Sequence, residues 1–251
     1  MEKKVFERPK LLKKAVFHYC PGCGHSILHR LIAEIIEELD IAHKVVGVPP
    51  AGCAVLAYDY LDIDMGESPH GRCAAVATGI KRSLPDRVVF TYQGDGDIAA
   101  IGTAETIHAA NRGENITTIF VNNGCYGMTG GQMAPTTLIG QNSSTTPGGR
   151  DYARDGAPID LSEMLALTKG SVYIERTTVN SPANIRKTKR AITRAFKIQM
   201  AGLGFSLVEV LSPCPTNWKM NTVDSCKWIE ETITKTYPLK VIKDTVGDKI
   251  Q

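Results

Sequence analysis

Val88-Val89-Phe90-Thr91-Tyr92-Gln93-Gly94-Asp95-Gly96-Asp97 is the stretch that decides the fold: an apolar strand-like run that breaks into a tight acidic turn. A second strand-like run, Ile116-Thr117-Thr118-Ile119-Phe120-Val121, ends in Asn122-Asn123. Residues 97 to 121 lie between them, enough for one crossover helix and a return strand. Such a unit brings the Asp95 carboxylate and the Asn123 amide oxygen to the carboxyl ends of neighbouring parallel strands, where open α/β sheets bind ligands. One carboxylate, one amide oxygen and a nearby backbone carbonyl suit Mg2+ holding a diphosphate, with water and phosphate oxygens completing the shell. Gly94 and Gly96 let the backbone turn sharply and approach the phosphates. Each half taken alone reads more simply as a turn, because Asp-Gly and Asn-Gly pairs are common turn formers. A dinucleotide site is the other competitor, but Gly94-Asp95-Gly96-Asp97-Ile98-Ala99 lacks the third glycine of GxGxxG.

Outward from this unit, strands and helices alternate as in a parallel sheet. Ile27, Leu28, Leu31, Ile32, Ile35 and Leu39 form one apolar helical face. Residues 97–112 read as the crossover helix, with Gly113 as its stop. Residues 182–201 read as a helix leading into a strand at 205–211, and 222–236 as a final helix. Residues 128–150 are rich in Gly, Thr, Ser, Pro and Gln without periodicity, and a loop this long is usually functional or mobile. The expected fold is α/β, a parallel sheet in three layers, with the chain 1–251 as one domain carrying a basic extension at 1–14.

Sulfur forms the second constellation. Cys20-Pro21-Gly22-Cys23-Gly24-His25 is a CxxC directly before a helix; Cys53 follows the strand-like Lys44–Val48, and Cys214 follows 205–211. In a parallel sheet these places can converge on one edge, where four thiolates suit either zinc or an iron–sulfur cluster. Spacing alone does not choose between the two. A redox disulfide finds no thioredoxin-like surroundings, and Cys53 and Cys214 taken singly read as small buried hydrophobes. Cys73, Cys125 and Cys226 have no partner pattern and read as packing residues.

A Gly-Asp-Gly followed about 25 residues later by Asn-Asn resembles the thiamine-diphosphate motif. With it run the Cys-Pro-Gly-Cys-Gly-His at 20–25, His70-Gly71-Arg72, Ala77-Thr78-Gly79-Ile80-Lys81, Asn122-Asn123-Gly124-Cys125-Tyr126-Gly127-Met128-Thr129-Gly130-Gly131-Gln132 and Ser212-Pro213-Cys214-Pro215-Thr216. These ordered motifs, covering nearly the whole chain, resemble the β subunit of the 2-oxoacid:ferredoxin oxidoreductases. The resemblance implies one 4Fe-4S cluster on Cys20, Cys23, Cys53 and Cys214. It implies Mg2+ on the side chains of Asp95 and Asn123 and the carbonyl of Cys125. Gly94, Gly96, Asp97, Gly127 and Met128 match segments that wrap the diphosphate. Ala51, Gly52, Cys53, Ala54 and His70 match positions that line the cofactor from the opposite side. Arg72 suits either a phosphate or a structural carboxylate.

The resemblance also implies the reaction: oxidative decarboxylation of a 2-oxoacid to acyl-CoA and CO2, with CoA as co-substrate and ferredoxin reduced. The protein's task is then to position cofactor, substrate and cluster. No catalytic glutamate is assigned on this chain; in the resembled family it lies on a pyrimidine-domain (α) partner subunit, so an obligate hetero-oligomer with further small subunits is expected. The segment 128–137 resembles branches acting on 2-oxoisovalerate or 2-oxoglutarate. The absence of a lysine near Gly130, which some relatives carry, favours an apolar substrate such as 2-oxoisovalerate. Gly148 departs from the family pattern, which often has an aromatic there. A non-oxidative thiamine-diphosphate decarboxylase subunit is the alternative that keeps Asp95 and Asn123 but has no need of the cysteines.

Composition adds bounds. At 251 residues, 43% hydrophobic and 22% charged, the chain is an ordinary globular one. A net charge of +3 points to no nucleic-acid or membrane partner. No apolar run is long enough to span a bilayer, and the basic start lacks the apolar core of a signal peptide. Reduced thiols acting as ligands suit the cytoplasm. The basic run Arg186, Lys187, Lys189, Arg190 and Arg194 reads as a solvated outer helix face, and not as a ferredoxin dock. Trp218 and Trp228 read as packing or interface residues, and not as substrate platforms.

Overall fold

The computed structural model describes residues 7–250; residues 1–6, the first part of the expected extension, lie outside the described residues. The chain runs α1 (His25–Glu38), β1 (Val45–Val48), α2 (Ala57–Tyr60), β2 (Asp64–Met65), α3 (Cys73–Ser83) and β3 (Val88–Gly94). A π-helical turn, Asp97–Ile101, leads into α4 (Thr103–Arg112) and β4 (Thr117–Asn122). A short antiparallel pair, β5 (Cys125–Tyr126) and β6 (Gln132–Met133), precedes α5 (Tyr152–Asp155), α6 (Leu161–Ala166) and β7 (Ser171–Thr178). The long α7 (Pro182–Met200) joins β8 (Phe205–Leu211). Then come α8 (Pro215–Trp218), α9 (Thr222–Trp228), a π-helical turn Ile229–Ile233, α10 (Thr234–Thr236) and β9 (Lys240–Asp244).

Seven strands form one sheet in the order β2-β1-β3-β4-β8-β7-β9. All neighbours are parallel except β7 and β9. The antiparallel edge strand departs from the all-parallel sheet expected from the sequence. β9 is largely exposed and only five residues long, so it carries no alternating apolar signature.

Alternation along the central strands builds two cores. Phe90 and Tyr92, Ile119 and Val121, Val208 and Val210 pack with Leu28, Ile32, Ile35 and Phe196 of α1 and α7 on one face. Val89, Phe120 and Leu207 pack with Ala74, Ala77, Ala109 and Leu165 of α3, α4 and α6 on the other. That is the period-two code of a strand buried on both faces, and it yields the expected three layers. α1 buries Leu28, Leu31, Ile32 and Ile35, with Ile27 and Leu39 partly buried beside them, as its sequence pattern predicts.

The crossover helix differs in detail. Its first turn is π-helical, and Gly102 interrupts it where a Cβ would stand 2.7 Å from the Asp97 carbonyl oxygen and 2.8 Å from that of Gly71. Gly113 ends it in the left-handed region at φ 66°, the expected stop. Gly170 passes so close behind this cap that a Cβ would collide with the Ala110 carbonyl oxygen and the Gly113 amide. Both are rigid backbone, so Gly170→Ala is expected to cost about 1–3 kcal/mol or more. Urea unfolding reads this directly, and a midpoint equal to wild type would show that the two backbones can separate freely.

The expected extension is tied down near its end. Leu12 is buried and bridges to Leu61, Lys13 N–H donates to the Tyr60 carbonyl at 2.9 Å, and Leu11 N–H donates to Glu37 at 2.7 Å. The 128–150 segment is irregular but anchored. Arg150, 5% exposed, donates to the carbonyls of Pro135, Thr137, Gly156 and Ala157 at 2.7–2.9 Å. One guanidinium thereby pairs loop carbonyls that would otherwise be buried unpaired. In the basic run of α7, Lys189 pairs with Glu34 and Glu38, and Arg194 with Asp244, while Arg186, Lys187 and Arg190 are exposed. Among the described residues no helix is long and apolar enough to cross a membrane.

Candidate functional site

β1, β3, β4 and β8 are consecutive neighbours, so their carboxyl ends stand in a row. From them emerge, in order, Ala51–Ala54, Asp95–Asp97, Asn123–Cys125 and Cys214. Distant sequence motifs meet because these four strands are adjacent and parallel.

Asp95 is 2% exposed. Its Oδ1 accepts the Gly96 N–H at 2.8 Å; its Oδ2 accepts the Cys125 N–H at 3.1 Å and the Thr136 hydroxyl at 2.8 Å. Burial pushes its carboxyl up to about 7, with those hydrogen bonds pulling the other way. Among the described residues no cationic side chain pairs with it. Asn123 presents Oδ1 to the same Cys125 N–H, also at 3.1 Å. Two oxygens from two strand ends thus converge on one amide. A buried carboxylate beside an amide oxygen, without its own cation, is a donor set suited to a hard divalent ion.

The loop carrying Asn123 is braced from several sides. Trp218 Nε1 donates to the Asn123 carbonyl at 3.0 Å, and Thr137 donates to that of Gly124 at 2.6 Å. Asn122 donates to Glu209 at 2.7 Å. Trp218 is therefore more than packing, although it does stack edge-on against Trp228 with centroids 4.5 Å apart.

Asp97 has a different role from Asp95. Its carboxylate accepts from Gln93 at 2.6 Å and from the Gly71 N–H, and His70 Nδ1 lies 2.8 Å from it, close but not aligned as a hydrogen bond. Burial raises its pKa, opposed by these partners. Asp97 therefore fixes His70 and the 70–71 turn. Arg72 pairs with Glu105, the structural carboxylate of the two options the sequence offered.

One cavity of about 290 Å3 gathers the expected positions. Its wall contains the 51–54 turn, His70, the 94–97 turn, Asn123, Cys125, Gly127 and Met128. His25, Pro50, Tyr126 and Thr129 also line it and were not singled out from the sequence. Tyr126 explains Gly96, since a Cβ at 96 would run into its ring. Of the four cysteines, Cys53 reaches the wall; Cys20, Cys23 and Cys214 lie outside it.

Those cysteines are nonetheless neighbours. The Cys20–Cys23 turn closes with Cys23 N–H donating to the Cys20 carbonyl at 3.0 Å, and Gly22 takes φ 79° there. Asn217 donates both to the Gly127 carbonyl at 3.0 Å and to the Cys214 sulfur at 3.2 Å. A Cβ on Gly127 would stand 3.1 Å from the Cys53 sulfur. Burial pushes the Cys23 and Cys53 thiols up to about 12, with the other cysteines adding to the shift. The Cys125 thiol and the Asn217 amide lower the Cys214 thiol, against the opposing effect of burial. Among the described residues no three His, Cys, Asp or Glu side chains are drawn together to hold a single metal ion.

The family profile described as thiamine pyrophosphate enzyme, C-terminal TPP binding domain, matches residues 51–210. Ketoisovalerate oxidoreductase subunit VorA of Methanothermobacter marburgensis is 50% identical over 241 residues, 96% of this chain and 50% of that protein. 2-Oxoglutarate synthase subunit KorB of Methanocaldococcus jannaschii is 37% identical over 220 residues, 85% of this chain and 77% of that one. Among solved structures, a 2-oxoglutarate:ferredoxin oxidoreductase from Magnetococcus marinus superposes with a TM-score of 0.75 at 28% identity, covering 91% of this chain and 74% of that chain. The chain spans about half the length of the VorA proteins it matches.

Proposed function

Because the chain belongs to the thiamine pyrophosphate enzymes, in the branch of 2-oxoacid:ferredoxin oxidoreductase subunits, we propose that it is the thiamine-diphosphate-binding part of such an oxidoreductase. The observation that carries this reading is the convergence of the Asp95 and Asn123 oxygens in a cavity whose wall also contains Cys53. The Asp95 and Asn123 side chains and the Cys125 carbonyl would hold Mg2+. Gly94, Gly96, Asp97, Gly127 and Met128 hold the diphosphate; Ala51, Gly52, Cys53, Ala54 and His70 face the remainder of the cofactor. Bound thiamine diphosphate supplies the chemistry that releases CO2 from the 2-oxoacid. The chain's own groups orient it: Asp97 locks His70, Thr136 locks Asp95, and Trp218 and Glu209 fix the loop before and after Asn123.

Cys20, Cys23, Cys53 and Cys214 hold one 4Fe-4S cluster in this proposal. Each of the four thiolates would ligate one iron, and the cluster would supply a one-electron acceptor beside the cofactor. The single domain 1–251 thereby carries both centres. The activating glutamate comes from a pyrimidine-domain partner subunit; CoA is the co-substrate, ferredoxin the acceptor and the cytoplasm the compartment. 2-Oxoisovalerate is the favoured substrate, since among the described residues no lysine or arginine lines the cavity to meet the distal carboxylate of 2-oxoglutarate.

The deciding experiment is anaerobic purification with co-expressed partners, followed by iron, sulfide, zinc and thiamine analysis. About four iron and four sulfide per chain with bound thiamine diphosphate is the expected result. Zinc in their place, or thiamine without iron, moves the assignment to a non-oxidative thiamine enzyme. Cys214→Ser is expected to spare CO2 release and to cripple ferredoxin reduction; unchanged ferredoxin reduction in the intact complex would remove Cys214 from the cluster.

A further inference from the structure

The proposed cofactor and cluster shells leave Pro50, Tyr126, Thr129 and His25 of the cavity wall unused, and His25 is the buried hydrogen-bonding side chain among them. His25 opens α1, is 3% exposed and lines the same cavity as Asp95 and Asn123. Its Nδ1 lies 2.6 Å from the Tyr92 hydroxyl, and its ring stacks on Tyr19 with centroids 4.7 Å apart and planes 11° apart. The imidazole is thereby held in one orientation. Tyr92 is 1% exposed, and among the described residues its hydroxyl has no other partner. A phenol is the better donor of this pair, so its proton points at Nδ1 and the proton of the neutral ring sits on Nε2. Nε2 has no protein partner among the described residues, and the residue lines the cavity. The helix end adds to it: Gly24 gives α1 no side-chain cap, and its first turn has no acidic residue. The His25 N–H faces the Cys23 thiol, so from this helix end it is the His25 side chain that meets the cavity.

We infer that His25 donates a hydrogen bond from Nε2 to the oxo-carboxylate head of the 2-oxoacid, an inference that rests on the function proposed above. A buried neutral donor at a helix N-terminus suits an anionic oxygen. The cofactor diphosphate is the other anion the proposed function brings to this cavity, and the cation that Asp95 and Asn123 would hold is placed to serve it. The substrate head finds no lysine or arginine in this wall among the described residues.

The test uses the complex assembled with its partner subunits. His25→Phe keeps a ring and removes the donor; His25→Gln keeps an N–H at similar reach; Tyr92→Phe leaves the imidazole and removes the hydroxyl that sets its tautomer. In His25→Phe, the KM of every 2-oxoacid that the wild type turns over should rise by a similar factor, roughly 10–100-fold, with kcat changed less. Thiamine diphosphate and iron per chain should stay at wild-type levels. His25→Gln should recover most of the loss, and Tyr92→Phe should show a smaller rise in the same direction. If the phenylalanine variant at 25 does not assemble, Tyr92→Phe carries the test, and an unchanged KM there overturns the inference.

Three other results also overturn it. A KM rise confined to one 2-oxoacid means that His25 reads the substrate side chain. Loss of thiamine diphosphate at unchanged KM assigns the donor to the diphosphate. Equal loss of iron in the Phe and Gln variants makes His25 a support for the Cys20–Cys23 turn. A wild-type complex without thiamine diphosphate overturns the proposed function itself, and this inference with it.

Discussion

Asp95→Ala is expected to strip Mg2+ and thiamine diphosphate from the assembled enzyme while leaving its iron content near that of wild type. The carboxylate is the one anionic oxygen donor that the Asp95–Asn123 pair offers to a divalent ion. Without it the proposed shell would retain an amide and a carbonyl, both neutral. Loss of an outer-shell partner typically costs 10–100-fold in metal affinity, so loss of the charged ligand itself should exceed that. The Gly96 N–H, Cys125 N–H and Thr136 hydroxyl that now converge on the carboxylate would also lose their acceptor, loosening the turn that approaches the diphosphate. The proposed cluster ligands stand on other elements: the Cys20–Cys23 turn, the segment after β1 and the segment after β8. Thiamine and metal analysis of the anaerobically purified complex reads both effects at once. Loss of iron with thiamine retained would sink the assignment of Asp95.

Arg176→Met should produce the largest loss of stability, about 3–5 kcal/mol. The Arg176 side chain is 0% and that of Glu209 2% exposed, with Nε 2.7 Å from Oε2. Arg176 also pairs with Asp160 and lies over the Tyr237 ring at 5.2 Å. Glu209 in turn accepts from Ser162 at 2.5 Å and Asn122 at 2.7 Å. Removing the guanidinium leaves a buried carboxylate without a cation, the arrangement whose desolvation is not offset. Removing both charges in Arg176→Met/Glu209→Gln should cost less than the single change, because the stranded charge is gone. Because Asn122 precedes the proposed ligand Asn123, the single variant should also retain less thiamine diphosphate. Urea unfolding of the three proteins decides the matter; a single variant within about 1 kcal/mol of wild type would mean that water reaches Glu209 and solvates it.

Local sequence carried the elements that meet the cofactor. Alternation in Val88–Tyr92 and 116–121, the Gly-Asp-Gly and Asn-Asn at their ends, and Gly113 as helix stop are properties of short segments, and each stands where the pattern placed it. The expected residues around the diphosphate line one cavity: Gly94, Gly96 and Asp97 stand at the end of β3, while Gly127 and Met128 follow the short β5 that leaves the end of the neighbouring β4. Long-range partners left no such mark. Nothing around Thr136, Trp218 or Asn217 signals that they brace residues 95, 123 and 127, because those contacts depend on how the 128–150 loop and α8 fold back over the strand ends. His25 reads as part of a cysteine motif until Tyr92, 67 positions away, fixes its ring against the cavity. Arg150 looks like one more charge in a Gly-rich loop, yet its burial makes it the donor that organises that loop.

The sequence by itself determined the strand–turn–helix unit, the three-layer sheet and the identity of the residues at the carboxyl ends of β1, β3, β4 and β8, because periodicity and turn chemistry act over a few residues. Tertiary structure alone decided that β8 lies beside β4, that β9 closes the sheet antiparallel, that Asp97 serves His70 and Arg72 serves Glu105, and that Glu209 is matched by Arg176. Those are choices among partners remote in sequence, and they are settled by which buried charge or hydrogen-bonding group would otherwise be left unpaired once the layers close.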